Sequence, residues 1–192
     1  GGLLERKEGG PLRISYIGNL AWQKGVHILI QAFSRLDQDR AVLNIYGGED
    51  TFPRYAQELH QLARSLSIHF MGSLPRERLW LALAETDVLV IPSLWYETFS
   101  LVTSEAFAAG VPVIASRLGA LAEKVRHQVD GLLFTPGEPE ALREAMERVI
   151  ETPSLLSDLR SHIRPVKKMA EHTEEILGLY QELMSGTAAG GG

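Results

Sequence analysis

Short apolar runs, mostly of four to six residues, alternate along this chain with stretches of about ten to thirteen residues whose apolar positions recur every three or four. A period near two bounded by Gly or Pro reads as strand, and a period near 3.6 reads as helix. Strands are expected at 12–17 (LRISYI), 41–46 (AVLNIY), 68–71, 87–91 (DVLVI), 111–115 and 132–134. Helices are expected at 25–36, from Pro53 to about Ser65, from Pro75 to about Ala84, at 101–109, at 138–150 and at about 167–184. The first helix places Val26, Leu29, Ile30, Phe33 and Leu36 on one face. Pro53 and Pro139 stand near helix starts, and Gly110 stands where a helix should end. Such alternation builds βαβ units, and the expected product is an α/β, Rossmann-like, three-layer domain: a mostly parallel sheet with helices on both faces. Sheets of this kind bind ligands beyond the carboxyl ends of their strands, where the strand order reverses.

With 192 residues, 45% of them hydrophobic, the chain has material for one folded domain, expected over 11–185 between flexible tails at 1–10 and 186–192. The net charge of −5 gives no electrostatic case for nucleic acid as a partner. There is no cysteine, which excludes disulfides and thiolate metal sites. No apolar run approaches the roughly 20 residues of a membrane span, and the start, GGLLERKEGG, lacks the apolar core of a secretory signal. A cytoplasmic location is therefore expected, with at most peripheral contact at the inner face of a membrane through the small basic cluster 164–168 (RPVKK), for which a solvated helix start is the commoner explanation.

Two carboxylates carry the most chemistry. Glu97 and Glu105 bracket the segment ETFSLVTSE with seven residues between them. The strand at 87–91 leads into it, so Glu97 belongs to a loop at a strand end and Glu105 to the helix that follows. The start of that helix is an anion site, because its first N–H groups lack intrahelical partners and the macrodipole favours negative charge. An anion flanked by two acids suits a ligand with phosphates in the middle and hydroxyls at both ends, the layout of a nucleotide-diphosphate sugar. Gly18 follows the first strand and lets the backbone turn tightly. Lys24 stands at the start of the next helix, a poor place for a cation unless an anion compensates it. Glu97 has aromatic and apolar neighbours in Leu94, Trp95, Tyr96 and Phe99, and Glu105 has Ala106, Phe107 and Ala108, which read as packed.

The run Glu97-x7-Glu105, with Ala106 and then AGVPVIA at 109–115, resembles the Glu-x7-Glu signature of retaining glycosyltransferase family 4. The other segments agree in order: Gly18 through Gly25 resembles that family's first loop, 70–74 (FMGSL) its base-binding turn, 87–93 the strand before the signature, and 130–134 (DGLLF) a later segment. The likeness spans about residues 12–150. It implies the C-terminal, donor-binding half of a two-domain GT-B enzyme, which acts with a missing N-terminal acceptor-binding domain to transfer a hexosyl group. It also implies roles: Lys24 on the donor diphosphate, Glu97 on hydroxyls of the transferred hexose, backbone at Phe99, Ser100 and Leu101 on the phosphates, Glu105 on the ribose, and backbone at Leu74 on the base. The donor would be a UDP-, GDP- or ADP-sugar. No cofactor and no metal is implied, since lysine and the helix start stabilise the leaving diphosphate.

Two positions depart from the family pattern. Asn19 stands where an arginine is usual, which removes a phosphate-neutralising charge, and Ser100 stands where glycine is common, a mild change because serine is a good N-cap. A pair of carboxylates also serves glycoside hydrolysis, but that would leave the phosphate cradle unexplained. Asp37-Gln38-Asp39 falls between a helix and the next strand, at the wrong sheet edge for a metal-nucleotide motif. The six histidines show no ligand spacing, and His27, His60 and His172 are expected on helix surfaces. Gly47-Gly48-Glu49-Asp50 lies at the correct edge and could line a cleft or form a plain turn. The alternatives are a GT-B sugar-nucleotide epimerase or hydrolase half, and a non-catalytic flavodoxin-like scaffold.

Overall fold

A computed structural model describes residues 10–164. Six strands, β1 (Leu12–Ile17), β2 (Ala41–Tyr46), β3 (Ile68–Gly72), β4 (Val88–Ile91), β5 (Val113–Ser116) and β6 (Gly131–Phe134), form one sheet in the order β3-β2-β1-β4-β5-β6. Every neighbouring pair is parallel. The helices are α1 (Val26–Phe33), α2 (Pro53–Leu62), α3 (Leu79–Ala84), α4 (Leu101–Ala108), α5 (Gly119–Lys124), α6 (Pro139–Glu151) and α7 (Pro153–Ser161). This is the expected Rossmann-like α/β layout.

The period of two along each strand divides the core. Val88 and Val90 face one way with Ile14, Ile114, Leu132 and Phe134, and there they meet α1, α2, α6 and α7 through Leu29, Leu59, Met146 and Leu159. Leu89 and Ile91 face the other way with Val113, Ala115 and Leu133, against Leu79 and Leu83 of α3, Ala106 of α4 and Leu121 of α5. Both faces of a parallel sheet must be covered, which is why these strands read as unbroken apolar runs. The chain lays down β1, β2 and β3 toward one edge and then returns to place β4 on the other side of β1. The connections that leave β1 and β4 therefore lead to helices on opposite faces of the sheet, and the crevice where they part is its switch point.

Several boundaries differ from the sequence expectations, each for a local reason. The first helix starts at Val26, because Gly25 has φ 69°, outside the helical region. Pro75 is extended (ψ 145°), and a 3-10 turn, Arg76–Arg78, intervenes before α3. β5 begins after Pro112, whose carbonyl accepts from the Leu89 N–H (3.0 Å) although its nitrogen has no hydrogen to give the ladder. The short helices α5 and α7 were not expected. The helix expected at 167–184, and the basic cluster beyond Arg164, lie outside the described residues. Among the described residues no helix is long and apolar enough to cross a membrane.

The end of the sheet opposite the crevice is fastened by a buried carboxylate. Asp87, just before β4 and 2% exposed, accepts from the Arg13 backbone N–H (2.9 Å) and from its guanidinium, Nε at 3.1 Å and Nη2 at 2.9 Å. Arg160 of α7 adds a contact at 3.2 Å. Burial pushes the Asp87 carboxyl up, but the Arg13 hydrogen bonds and the two positive charges outweigh it, so the net direction is down. A depressed carboxylate stabilises the fold fully above its unfolded value near 3.9 and loses that contribution as pH falls through the lower folded value. Asp87→Asn should cost about 3 kcal/mol at pH 7, by removing the buried negative charge that Arg13 and Arg160 contact. In urea unfolding, the gap between wild type and variant should narrow below about pH 4; a gap that stays constant from pH 7 to pH 3 would contradict this account.

Candidate active site

The loops leaving β1 and β4 are sewn together before any side chain is considered. The Leu94 N–H donates to the Gln23 carbonyl (2.8 Å). Gly25 packs so closely that a Cβ there would lie 2.0 Å from the Pro92 carbonyl oxygen. Only glycine supplies both that approach and φ 69°. This seam brings Lys24, the last residue of the 3-10 turn Trp22–Lys24, to the end of β4. There its Nζ lies 2.9 Å from Glu97 Oε1. The compensating anion that Lys24 required is thus Glu97 itself.

Glu97 is held from several sides. Its side chain is 14% exposed, and the Ser93 hydroxyl donates to the same Oε1 that Lys24 contacts. Its backbone carbonyl accepts from the Ala120 N–H at the start of α5 (3.2 Å). Burial pushes the carboxyl up, yet the hydrogen bonds from Ser93 and Lys24, with the lysine charge, bring it below its ordinary range. Glu97 is therefore ionised at neutral pH. Its aromatic neighbours in sequence, Trp95, Tyr96 and Phe99, are all exposed. The carboxylate is buried by polar partners instead.

α4 presents its first turn to the same crevice. Ser100 has the extended backbone of an N-cap (φ −87°, ψ 98°), but its side chain makes no capping hydrogen bond. Its hydroxyl instead accepts from Thr103 Oγ1 (2.7 Å), which leaves the first N–H groups of the helix uncapped by it. Lys124, the last residue of α5, braces this turn by donating to the Ser100 carbonyl (3.0 Å) and Ser104 Oγ (3.1 Å), with Nζ 3.5 Å from the centre of the Phe99 ring. One turn further on, Glu105 is 13% exposed and paired with the guanidinium of Arg76. On the β1 side, the buried Tyr16 hydroxyl donates to the Asn19 carbonyl (2.8 Å) and fixes the turn after Gly18.

All nine residues singled out from the sequence (Gly18, Asn19, Lys24, Leu74, Glu97, Phe99, Ser100, Leu101 and Glu105) line one cleft of ≈ 560 Å³. That size lies within the range of small-molecule sites. Sequence reasoning missed Arg76 and Ser93, which line it as well. Ser93 stands four residues before Glu97, and Arg76 two after Leu74; both positions follow strand ends, which was the available signal. Glu49 does not join the cleft and pairs with His60 (3.0 Å). Asp37 accepts from the Asp39 N–H (3.0 Å) in a local turn. His27, expected on a helix surface, is half-buried between Trp22 and Tyr55, with Nδ1 2.7 Å from the tyrosine hydroxyl. Burial pushes this imidazole down.

Comparison with known proteins assigns the class. The family described as "Glycosyl transferases group 1" matches residues 5–165, and the chain belongs to it. It is 35% identical over 138 residues to an uncharacterized glycosyltransferase of Methanocaldococcus jannaschii, covering 71% of this chain and 35% of that protein. Its fold superposes on sucrose-phosphate synthase of Thermosynechococcus elongatus with a TM-score of 0.80 at 26% identity, over 92% of this chain and 46% of the other. A second solved structure, Anabaena HepE in complex with UDP-glucose, gives a TM-score of 0.74 at 28% identity over 80% of this chain and 43% of the other. The chain thus spans about a third to a half of the length of these proteins.

Two outcomes follow from the site geometry. Gly25→Ala should lower stability by at least about 2 kcal/mol, since it adds positive-φ strain to a clash with the Pro92 backbone carbonyl; thermal unfolding unchanged within a degree would refute the seam. Lys24→Met should move the Glu97 carboxyl upward in an NMR titration with side-chain labelling, because a favourable charge and hydrogen bond are lost. A downward or absent shift would show that the pair does not govern this carboxylate.

Proposed function

We propose that this chain is the donor-binding half of a retaining glycosyltransferase of the family 4 type, working with a second, acceptor-binding domain of GT-B architecture. The observation that carries the reading is the junction of Lys24 and Glu97 across the switch point, beside the uncapped first turn of α4. In this proposal the diphosphate of a nucleotide sugar lies on Lys24 Nζ and the N–H groups near Phe99, Ser100 and Leu101. Glu97, kept ionised by Ser93 and Lys24, accepts hydrogen bonds from the hexose hydroxyls, while Glu105 takes the ribose and the backbone at Leu74 the base. The bond from the anomeric carbon to the diphosphate oxygen breaks with its electrons on that oxygen, while the acceptor's hydroxyl oxygen bonds to the same carbon and its proton passes to the leaving diphosphate. Lys24 and the helix start meet the charge as it develops, already oriented and partly out of water. The UDP-glucose complex of the related Anabaena HepE favours UDP over other bases. The chain's coverage of less than half of its relatives supports the need for a further domain.

The test is calorimetry with UDP-, GDP- and ADP-glucose. One base should bind measurably, with UDP expected. Glu105→Ala should weaken binding of nucleotide and nucleotide sugar alike, by about tenfold or more, as a buried carboxylate–hydroxyl contact is lost. Glu97→Ala should instead erase the preference for nucleotide sugar over free nucleotide. Heat from none of the three donors would overturn the reading, and brisk hexose transfer by the 192-residue chain alone would overturn its half-enzyme part.

A further inference from the structure

Among the described residues, four charged side chains line the cleft: Lys24 and Arg76 against Glu97 and Glu105. They cancel in pairs, Lys24 on Glu97 and Arg76 on Glu105. A donor diphosphate brings one negative charge per esterified phosphate, about two in all, into this neutral setting. Among the described residues the β1 side of the cleft offers no second cation, since Asn19 is uncharged. Lys24 sits beside Glu97 within the seam, and Lys124 is committed to the Ser100 carbonyl and Ser104. Arg76 differs. Its side chain is 71% exposed and it rises from the 3-10 turn after β3, whose backbone is set by Pro75. An ion pair exposed on one side is held weakly, and a guanidinium fork suits phosphate oxygens as well as carboxylate. Glu105, by contrast, is 13% exposed and cannot be left without hydrogen-bond donors.

We propose that Arg76 is a donor-binding residue that changes partners: it neutralises Glu105 until a nucleotide arrives, and turns to the phosphates as the ribose hydroxyls take over that carboxylate. The exchange keeps Glu105 satisfied throughout and supplies the second positive charge only when the anion is present. It rests on the donor-binding reading above and adds to it a residue on the β3 loop.

The decisive measurement compares uridine with UDP on wild type, Arg76→Met and Arg76→Lys, using guanosine and GDP or adenosine and ADP if the donor panel selects another base. Arg76→Met should weaken diphosphate binding about tenfold and leave nucleoside binding equal or tighter, because Glu105 is then free for the ribose. Arg76→Lys should recover most of the loss. The salt dependence of diphosphate affinity should become shallower in Arg76→Met. If nucleoside and diphosphate weaken together, Arg76 merely positions Glu105 and the exchange is refuted; unchanged affinities refute it too. A wild type that binds none of the diphosphates removes both this inference and the donor-binding reading, whereas diphosphate binding insensitive to Arg76 removes the inference alone.

Discussion

The backbone seam between the β1 and β4 loops is the contact on which the site depends. Parallel strand order places β1 beside β4, but adjacency of strands does not bring their loops together, and at a switch point the loops tend to separate. Here the Leu94 N–H reaches the Gln23 carbonyl, and Gly25 lies directly against the Pro92 carbonyl. Those contacts fix the distance between two chain segments more than sixty residues apart, and the Lys24–Glu97 pair inherits its geometry from them. A cation brought to the site on a loose loop would have to be ordered by the ligand, at a cost in binding. Here the backbone has already set its position.

The electrostatics follow from that geometry. Two carboxylates in an anion site would ordinarily repel the ligand, and each is offset by one cation. The offsets differ in kind. In the Glu97 pair the lysine is the more sheltered of the two cations, Ser93 shares the same oxygen and α5 holds the Glu97 carbonyl. The Glu105 pair is enclosed on the carboxylate side only. The two halves of the cleft thus differ in how far their cations are exposed. Between them, Ser100 occupies the N-cap position without capping, since its hydroxyl is engaged by Thr103. A serine that looks in sequence like a cap thus leaves the helix start open.

Much of this was legible in the sequence because it depends on local order. The period of two in VLVI and the period near 3.6 after Gly25 fix layer and face, and strand-end positions decide which residues share the crevice. Gly18, Lys24, Glu97 and Glu105 follow from that rule. What was not legible has a common cause. α5 is six residues long, starts at a glycine with φ 51°, and is set in place by a carbonyl of the distant Glu97, so its own residues give little signal. Arg76 meets Glu105 through a tertiary contact that no spacing rule contains. The apolar company of Glu97 misled for the opposite reason: Trp95, Tyr96 and Phe99 are neighbours in sequence but turn outward. α7 is a different case. Pro153, Leu156 and Leu159 are a recognisable helix start and apolar stripe, a signal the sequence reading passed over.

Those outward aromatics carry a further consequence. Trp22, Trp95, Tyr96, Phe99 and Leu101 are all exposed, and each belongs to the loops or the helix start that frame the cleft. The central strands bury their apolar side chains on both faces, and the other exposed large apolar groups, Phe52, Leu62, Met71, Trp80 and Leu81, lie outside these loops. Large exposed apolar groups gathered beside a polar cleft mark a surface made to be covered. Under the half-enzyme proposal the covering body is the acceptor-binding domain. Its approach would bury these rings and exclude water from the neighbourhood of Lys24 and Glu97, where every charge interaction would then strengthen. Under that proposal the polar cleft and its apolar surround would be two parts of one arrangement, the first recognising the donor and the second letting closure make that recognition catalytic.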